Sequence, residues 1–393
     1  MIEPVAAFGR LKNESAFEVL ARAAALEAGG KSVINLGIGQ PDFKTPEHVV
    51  EAAIKALRDG QHGYTPANGI LALREAVAAD LAARRGVEVD PGRILVVPGG
   101  KVTMFFAILM FGEPGAEILY PNPGFPIYES TIAYSGAKPV PVPLREDDGF
   151  AMTAEAVLER LTPRSRLVIL NSPANPTGGV TPAEELDKLV AGLAAHPQVA
   201  ILSDEIYSRL LYDGRAHASL LRYPEIADRL ILLDGWSKTY AMTGWRLGYG
   251  VWPAQLVEPA VRLAVNCHSC VNAASQYAGI AALEGPQDSV EAMAAAFTER
   301  RALVLRALNQ IPGLHAVEPG GAFYAFPNIT GTGLSAKALE VGLLEEAGVA
   351  TIAGTSFGAE GEGYLRMSYA NSLENIEEAM SRIRRWLAER EAV

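Results

Sequence analysis

VAILSDEIY, residues 199–207, is the stretch whose reading decides the fold. Val199 to Leu202 form an uninterrupted aliphatic run that stops at Ser203, Asp204 and Glu205. A strand with one wet face alternates apolar and polar residues, whereas a continuous run suits a strand covered on both faces. The same pattern recurs in RILVVPGG (93–100), AEILYPNP (116–123), RLVILNSP (166–173) and RLILLDGWS (229–237). Between two of these runs, TPAEELDKLVAGLAAH (181–196) reads as a capped helix. Strands of this kind separated by helices predict an α/β fold with a mostly parallel sheet sandwiched by helices.

With 393 residues, the chain exceeds what a single core usually holds, so two domains are expected. From about Ser289 the pattern changes to one long helix, SVEAMAAAFTERRALVLRALNQ (289–310), and then to mixed elements. The segment before about Thr45 also lies outside the alternating region. The expectation is a large domain over 45–290 and a smaller α+β domain made from 1–44 and 291–393.

Formal net charge is −11 and the basic residues are scattered, so no nucleic-acid footprint is visible and small molecules are the expected partners. No basic leader precedes an apolar segment, and no run reaches the roughly 18 apolar residues of a membrane span. A soluble, cytoplasmic protein with no membrane partner is expected. The two cysteines, Cys267 and Cys270 in NCHSC, argue against a disulfide framework. A zinc site needs about four ligands, and no second cluster accompanies this pair. They read as reduced thiols in or near a core, and no metal is expected.

In an open α/β sheet, ligands bind beyond the carboxyl ends of the strands. Unusual polar residues fall there repeatedly: Asp204 with Tyr207 three residues on, Asn175 after RLVILNSP, Lys238 after RLILLDGWS, and a Gly99–Gly100 turn leading into a helix. That turn presents backbone N–H groups to an anion at a helix N-terminus. It is not a P-loop, because Val102 follows Lys101 and Leu95 stands where the first glycine belongs. LGIGQPDF (36–43) lacks the third glycine of a dinucleotide fingerprint, which disfavours a nicotinamide enzyme.

WSKTYAMTGWR (236–246) places Lys238 among small, aromatic and apolar residues, with Arg246 eight positions on. An enclosed lysine beside another cation is an amine that can be neutral near pH 7 and can form a Schiff base with a carbonyl. Arg246 offers a bidentate grip on a phosphate. A phosphorylated aldehyde fits both, and pyridoxal 5'-phosphate is such a molecule.

SDEIY (203–207), NPTGG (175–179) and SKTYAMTGWRLGY (237–249), with YTPANG (64–69), PNPGFPIY (121–128) and YLRMSYA (364–370), resemble the class I/II aminotransferases of the fold-type I pyridoxal-phosphate family. The resemblance runs over about nine-tenths of the chain and implies a seven-stranded sheet and a homodimer with shared active sites. It implies that Lys238 carries the cofactor and moves a proton between substrate and cofactor, that Asp204 pairs with the pyridine nitrogen, and that Tyr207 and Asn175 bond the phenolic oxygen. By the same resemblance Phe125 stacks on the ring. Arg246, Ser237 and the backbone of Gly100, Lys101 and Val102 hold the phosphate, and Tyr64 reaches the phosphate of the neighbouring subunit. Arg366, with Gly39 and Asn175, would bind the substrate α-carboxylate, a planar anion suited to a planar fork.

Three positions depart from the family pattern. Gly235 stands where many relatives have a serine three residues before the lysine. Tyr128 replaces a histidine that supports the cofactor-binding aspartate. Cys267 stands at or near the place of an arginine that pairs with a distal carboxylate in one aspartate-specific branch, which leaves Arg22, His268 or Lys12, for instance, as substitutes. The expected activity is transfer of an amino group from an L-amino acid to a 2-oxo acid such as 2-oxoglutarate or pyruvate. Aspartate is the first-named donor; alanine, aromatic or broad specificity, and a lyase or decarboxylase on the same fold, are the alternatives.

Overall fold

The computed structural model describes residues 2–13 and 15–391. A short strand β1 (Ile34–Asn35) precedes the main sheet, which consists of β2 (Ile94–Val97), β3 (Glu117–Asn122), β4 (Lys138–Pro143), β5 (Ser165–Asn171), β6 (Ala200–Asp204), β7 (Leu230–Gly235) and β8 (Gly248–Val251). Their spatial order is β2-β8-β7-β6-β5-β3-β4, and every neighbouring pair is parallel except the two that β8 makes. The mostly parallel sheet is therefore the one that the continuous apolar runs predict.

Strand alternation sends successive residues to opposite faces. Ile94, Val96, Leu232, Tyr249 and Val251 join one apolar cluster with the helices Leu71–Arg85 and Ala273–Glu284. Leu95, Val97, Ile231 and Leu233 join another with the helices Lys101–Phe111, Ile127–Ser135 and Ala254–Cys267. Both faces are dry.

Two strands escape the sequence reading. β4 is KPVPVP, whose prolines cannot donate to a ladder, and it sits at the sheet edge where that deficit is tolerated. β8 is GYGV, too short and glycine-rich to stand out. The helix expected at 181–196 spans Ala183–Leu193, and its N-cap is Pro182 with no side-chain cap bond. Thr181 instead accepts the Met152 N–H at 3.3 Å. The long helix spans Asp288–Leu308.

The remaining strands are β9 (Tyr324–Ala325), β10 (Val349–Ala350), β11 (Ile352–Ala353) and β12 (Leu365–Ser368). The chain's two ends meet here, because β1 pairs in parallel with β10 and Ile34 and Leu36 share an apolar cluster with Phe297, Leu308, Phe323 and Trp386. β12 lies between β11 and β9, antiparallel to both.

At the carboxyl ends of the main sheet three backbones stack closely. A Cβ on Gly248 would lie 2.8 Å from Gly100 Cα, and one on Gly235 would lie 2.8 Å from Gly248 Cα. A serine side chain at position 235 has no room, which accounts for that departure from the family pattern. Gly248→Ala is expected to cost about 1–3 kcal/mol by overpacking. Gly63→Ala, at a glycine with no atom within 4 Å of a built Cβ, is expected to be nearly neutral. Thermal unfolding of the two variants side by side checks this, and equal melting temperatures would refute it.

Candidate active site

The ends of β5, β6 and β7 and the turn after β2 open on a cavity of about 500 Å³, a volume suited to a small molecule. At its floor Asp204, the last residue of β6, is buried. Its carboxylate accepts the Tyr128 hydroxyl at 2.6 Å and the Ile206 N–H at 3.3 Å. Tyr128 thus makes the supporting bond expected of a histidine. Burial raises the Asp204 pKa from 3.8 to about 6, against the lowering effect of the Tyr128 bond, with further upward pressure from Asp234 and Glu205.

Asn171 ends β5 in register with Asp204. Its amide donates to the Asp204 carbonyl at 3.1 Å and accepts the Asn175 N–H at 2.9 Å, which fixes the loop that carries Asn175. The Asn175 side-chain oxygen accepts from Arg366 at 3.0 Å. Arg366, from β12, is buried with its guanidinium 4.7 Å from both the Tyr324 and the Phe357 ring centroids, and it also donates to the Gly37 carbonyl. Such stacking holds the planar fork in one orientation.

Tyr207 and Tyr324 share a hydroxyl hydrogen bond of 2.7 Å, and burial pushes the Tyr207 phenol well above its ordinary value. Lys238 donates to the Gly39 carbonyl, with Nζ 5.9 and 5.8 Å from the Tyr207 and Phe323 ring centroids. A Cβ at Gly39 would collide with the Tyr324 hydroxyl, so a side chain at position 39 would require Tyr324 to shift.

On the other wall, Gly99 adopts φ +94° and the Arg246 guanidinium lies where its side chain would be. Arg246 donates to the Thr243 carbonyl at 2.8 Å. Lys101 Nζ lies 5.1 Å over the Phe125 ring.

Of the residues singled out in the sequence, Gly39, Gly100, Lys101, Phe125, Asn175, Asp204, Tyr207, Ser237, Lys238, Arg246 and Arg366 line this cavity together. Val102 is not among the described lining residues, and its N–H is used within the turn, donating to the Gly99 carbonyl at 3.1 Å. Tyr64 is 95% exposed and likewise absent from that lining. The suggested distal-carboxylate groups are also elsewhere. Arg22 pairs with Glu345, Lys12 with Glu129, and His268 packs its ring 6.0 Å from Phe106. Cys267 is exposed rather than in a core, and Cys270 is intermediate.

A family model for aminotransferase class I and II matches residues 31–383. The chain belongs to the class I and II aminotransferases. It is 40% identical over 375 residues to the aspartate aminotransferase of Geobacillus stearothermophilus, covering 94% of this chain and 95% of that protein. It is equally 40% identical to aromatic-amino-acid aminotransferase 2 of Thermococcus litoralis, over 94% of this chain and 95% of that one. The crystal structure of the aspartate aminotransferase of Rhizobium meliloti superimposes with a TM-score of 0.94 at 34% identity, over 99% of both chains.

This family is pyridoxal-phosphate-dependent, and the cavity fits that group. A buried carboxylate suits a protonated pyridine nitrogen, a flanking aromatic suits its ring, a lysine amine suits its aldehyde, and an arginine over a glycine turn suits its phosphate. The described lining includes the basic side chains of Lys101, Lys238, Arg246 and Arg366, whose charge type suits anionic cofactor and substrate groups. No three His, Cys, Asp or Glu side chains are grouped as a metal site, and no helix is long and apolar enough to cross a membrane, among the described residues.

Sequence reasoning missed Asn171 and Tyr324. Tyr324 lies in GGAFYAFP (320–327), where a glycine pair before closely spaced aromatics was the available signal.

Because the folded pKa of Asp204 is raised, its favourable contribution to stability is fully present below 3.8 and is lost as pH rises through about 6. Tyr128→Phe removes a bond that favours the carboxylate, so the titration midpoint is expected above 6. Carboxyl NMR titration of the cofactor-free protein reads this directly. A midpoint at or below that of the unaltered protein would contradict the assignment.

Proposed function

We propose that the protein is an aspartate-type aminotransferase that acts in the cytoplasm as a homodimer with shared sites. The amino group of an L-amino acid passes to 2-oxoglutarate or pyruvate in a ping-pong cycle. The observation that carries the substrate assignment is the likeness of the chain to relatives named for aspartate. Within the cavity Lys101 lies beside Phe125, and this reading assigns it the second carboxylate of the substrate. Relatives named for aspartate support this reading, and the Thermococcus relative marks the aromatic alternative.

When bound, pyridoxal phosphate supplies the electron sink for charge that develops on the substrate Cα. Asp204 holds the proton on the pyridine nitrogen, and Phe125 covers the ring. Asn175 accepts from Arg366 through its carbonyl, leaving its NH₂ to meet the phenolic oxygen together with the Tyr207 hydroxyl. Arg246, Ser237 and the amides of Gly100 and Lys101 hold the phosphate, and Tyr64, exposed on its own subunit, reaches the neighbour's phosphate.

Arg366 takes the α-carboxylate in its stacked fork, with the Gly39 backbone alongside. Lys238 Nζ would take the proton from the substrate Cα as general base and, as acid, deliver it to the aldehyde-derived carbon of the cofactor. The segments 1–44 and 291–393 form the smaller domain beside 45–290.

Supplying one amino acid at a time to the holoenzyme, without an oxo acid, is expected to release one equivalent of 2-oxo acid and then stop. Continued turnover would mark a lyase and overturn the reading. Lys238→Ala is expected to abolish both the chromophore and this release. A charged hydrogen bond contributes about 1.5–3 kcal/mol, so Lys101→Ala should lower kcat/KM for aspartate by roughly 10–100-fold with little change for aromatic donors. Equal losses for both donor types would remove Lys101 from side-chain recognition.

A further inference from the structure

Beneath the cavity, on the opposite face of the sheet, lies a buried charge cluster to which the reaction assigns no task. Period-two alternation sorts the strand ends: Asp204 and Leu233 line the cavity, whereas their neighbours Glu205 and Asp234 do not. Both of these far-side carboxylates meet Arg85, the last residue of the helix Leu71–Arg85, one on each terminal guanidinium nitrogen. All three side chains are 5% exposed or less.

The cluster is closely bonded. One Glu205 oxygen accepts from Ser203 at 2.9 Å, Ser219 at 3.0 Å and the Leu220 N–H at 3.3 Å, while His217 Nε2 lies 2.7 Å from the other. Asp234 accepts the Gly235 N–H at 2.7 Å and Ser208 at 3.3 Å.

We propose that Arg85 is a positioning residue for Asp204 and Lys238, acting through Glu205 and Asp234. A guanidinium is a rigid planar fork, so bridging two carboxylates with it fixes the spacing between the residues that carry them. Glu205 follows Asp204 directly, and Asp234 and Gly235 end β7, just before the turn that delivers Ser237 and Lys238. The bridge thus sets where the pyridine-nitrogen partner stands relative to the amine. Stability alone is a poor reason for such a cluster, since apolar side chains of similar volume often replace a buried ion triad without loss. Asp234 and Glu205 also act on Asp204 through space, both raising its pKa.

This inference rests on the pyridoxal-phosphate reading of the cavity, and the test separates the two. Arg85→Lys keeps the charge but loses the fork. The triple variant Arg85→Met, Glu205→Gln, Asp234→Asn removes all three charges together and guards against unfolding caused by an unpaired one. In whichever variant folds, the melting temperature should stay near that of the unaltered protein. The cofactor dissociation constant should rise about tenfold, as when outer partners of a bound group are lost. The pH midpoint of the holoenzyme chromophore should shift, and kcat for aspartate should fall more than KM changes. A folded variant with unchanged cofactor affinity and chromophore titration would overturn the inference, as would failure of both variants to fold, which would assign Arg85 to stability alone. Absence of any Lys238-linked chromophore in the unaltered protein would instead overturn the functional reading.

Discussion

Two adjacent parallel strands ending at the same level, with alternate side chains on opposite faces, are the constraint on which this molecule depends. At the tips of β6 and β7 that alternation puts one carboxylate into the cavity and two behind it. The sheet becomes a partition between a reacting face and a supporting face. A side chain on the far face reaches a cavity-lining one through the backbone between them and through space, as Glu205 and Asp234 do Asp204.

Charge is costly to bury, so each buried charge here has a compensating partner. Asp204 is held by Tyr128 and a backbone N–H, yet burial still carries its pKa to about 6, close enough to neutrality for a cationic neighbour to decide its state. Glu205, equally buried, goes the other way to about 2, because Arg85 and His217 outweigh desolvation. Two successive carboxyl groups are therefore shifted in opposite directions, and the partners on the face each one enters set the direction.

The wall formed by Arg246 and the Gly99 turn shows a second form of cost. Arg246 sits at φ 54° and Ala241 at φ 51°, a region that disfavours side chains by about 1–3 kcal/mol, and both belong to the segment that carries Lys238. The same conformation brings the Arg246 guanidinium over Gly99, where a side chain would block it. The strain and the missing side chain are two halves of one arrangement, in which backbone geometry aims a cation at the mouth of a helix.

Much of this was legible in the chain alone, and the boundary of legibility has a physical cause. Burial on both faces writes a continuous apolar run, so the parallel sheet could be read from VAILSDEIY and its counterparts, and strand-end chemistry pointed to Asp204, Asn175 and Lys238. β4 and β8 were hidden because proline and glycine mask their strand character, and only pairing with a neighbour makes them strands. Tyr324 meets Tyr207 across 117 residues and Arg85 meets Glu205 across 120, and no local pattern encodes such meetings. Packing also decided which basic side chains face the cavity: Lys101 is in its lining, whereas Lys12 and Arg22 are not among the described lining residues. Local sequence determines what each segment prefers to be, because propensity and burial act over a few residues; which side chains share a cavity is decided by tertiary packing, because that depends on distances between segments that only the folded chain brings together.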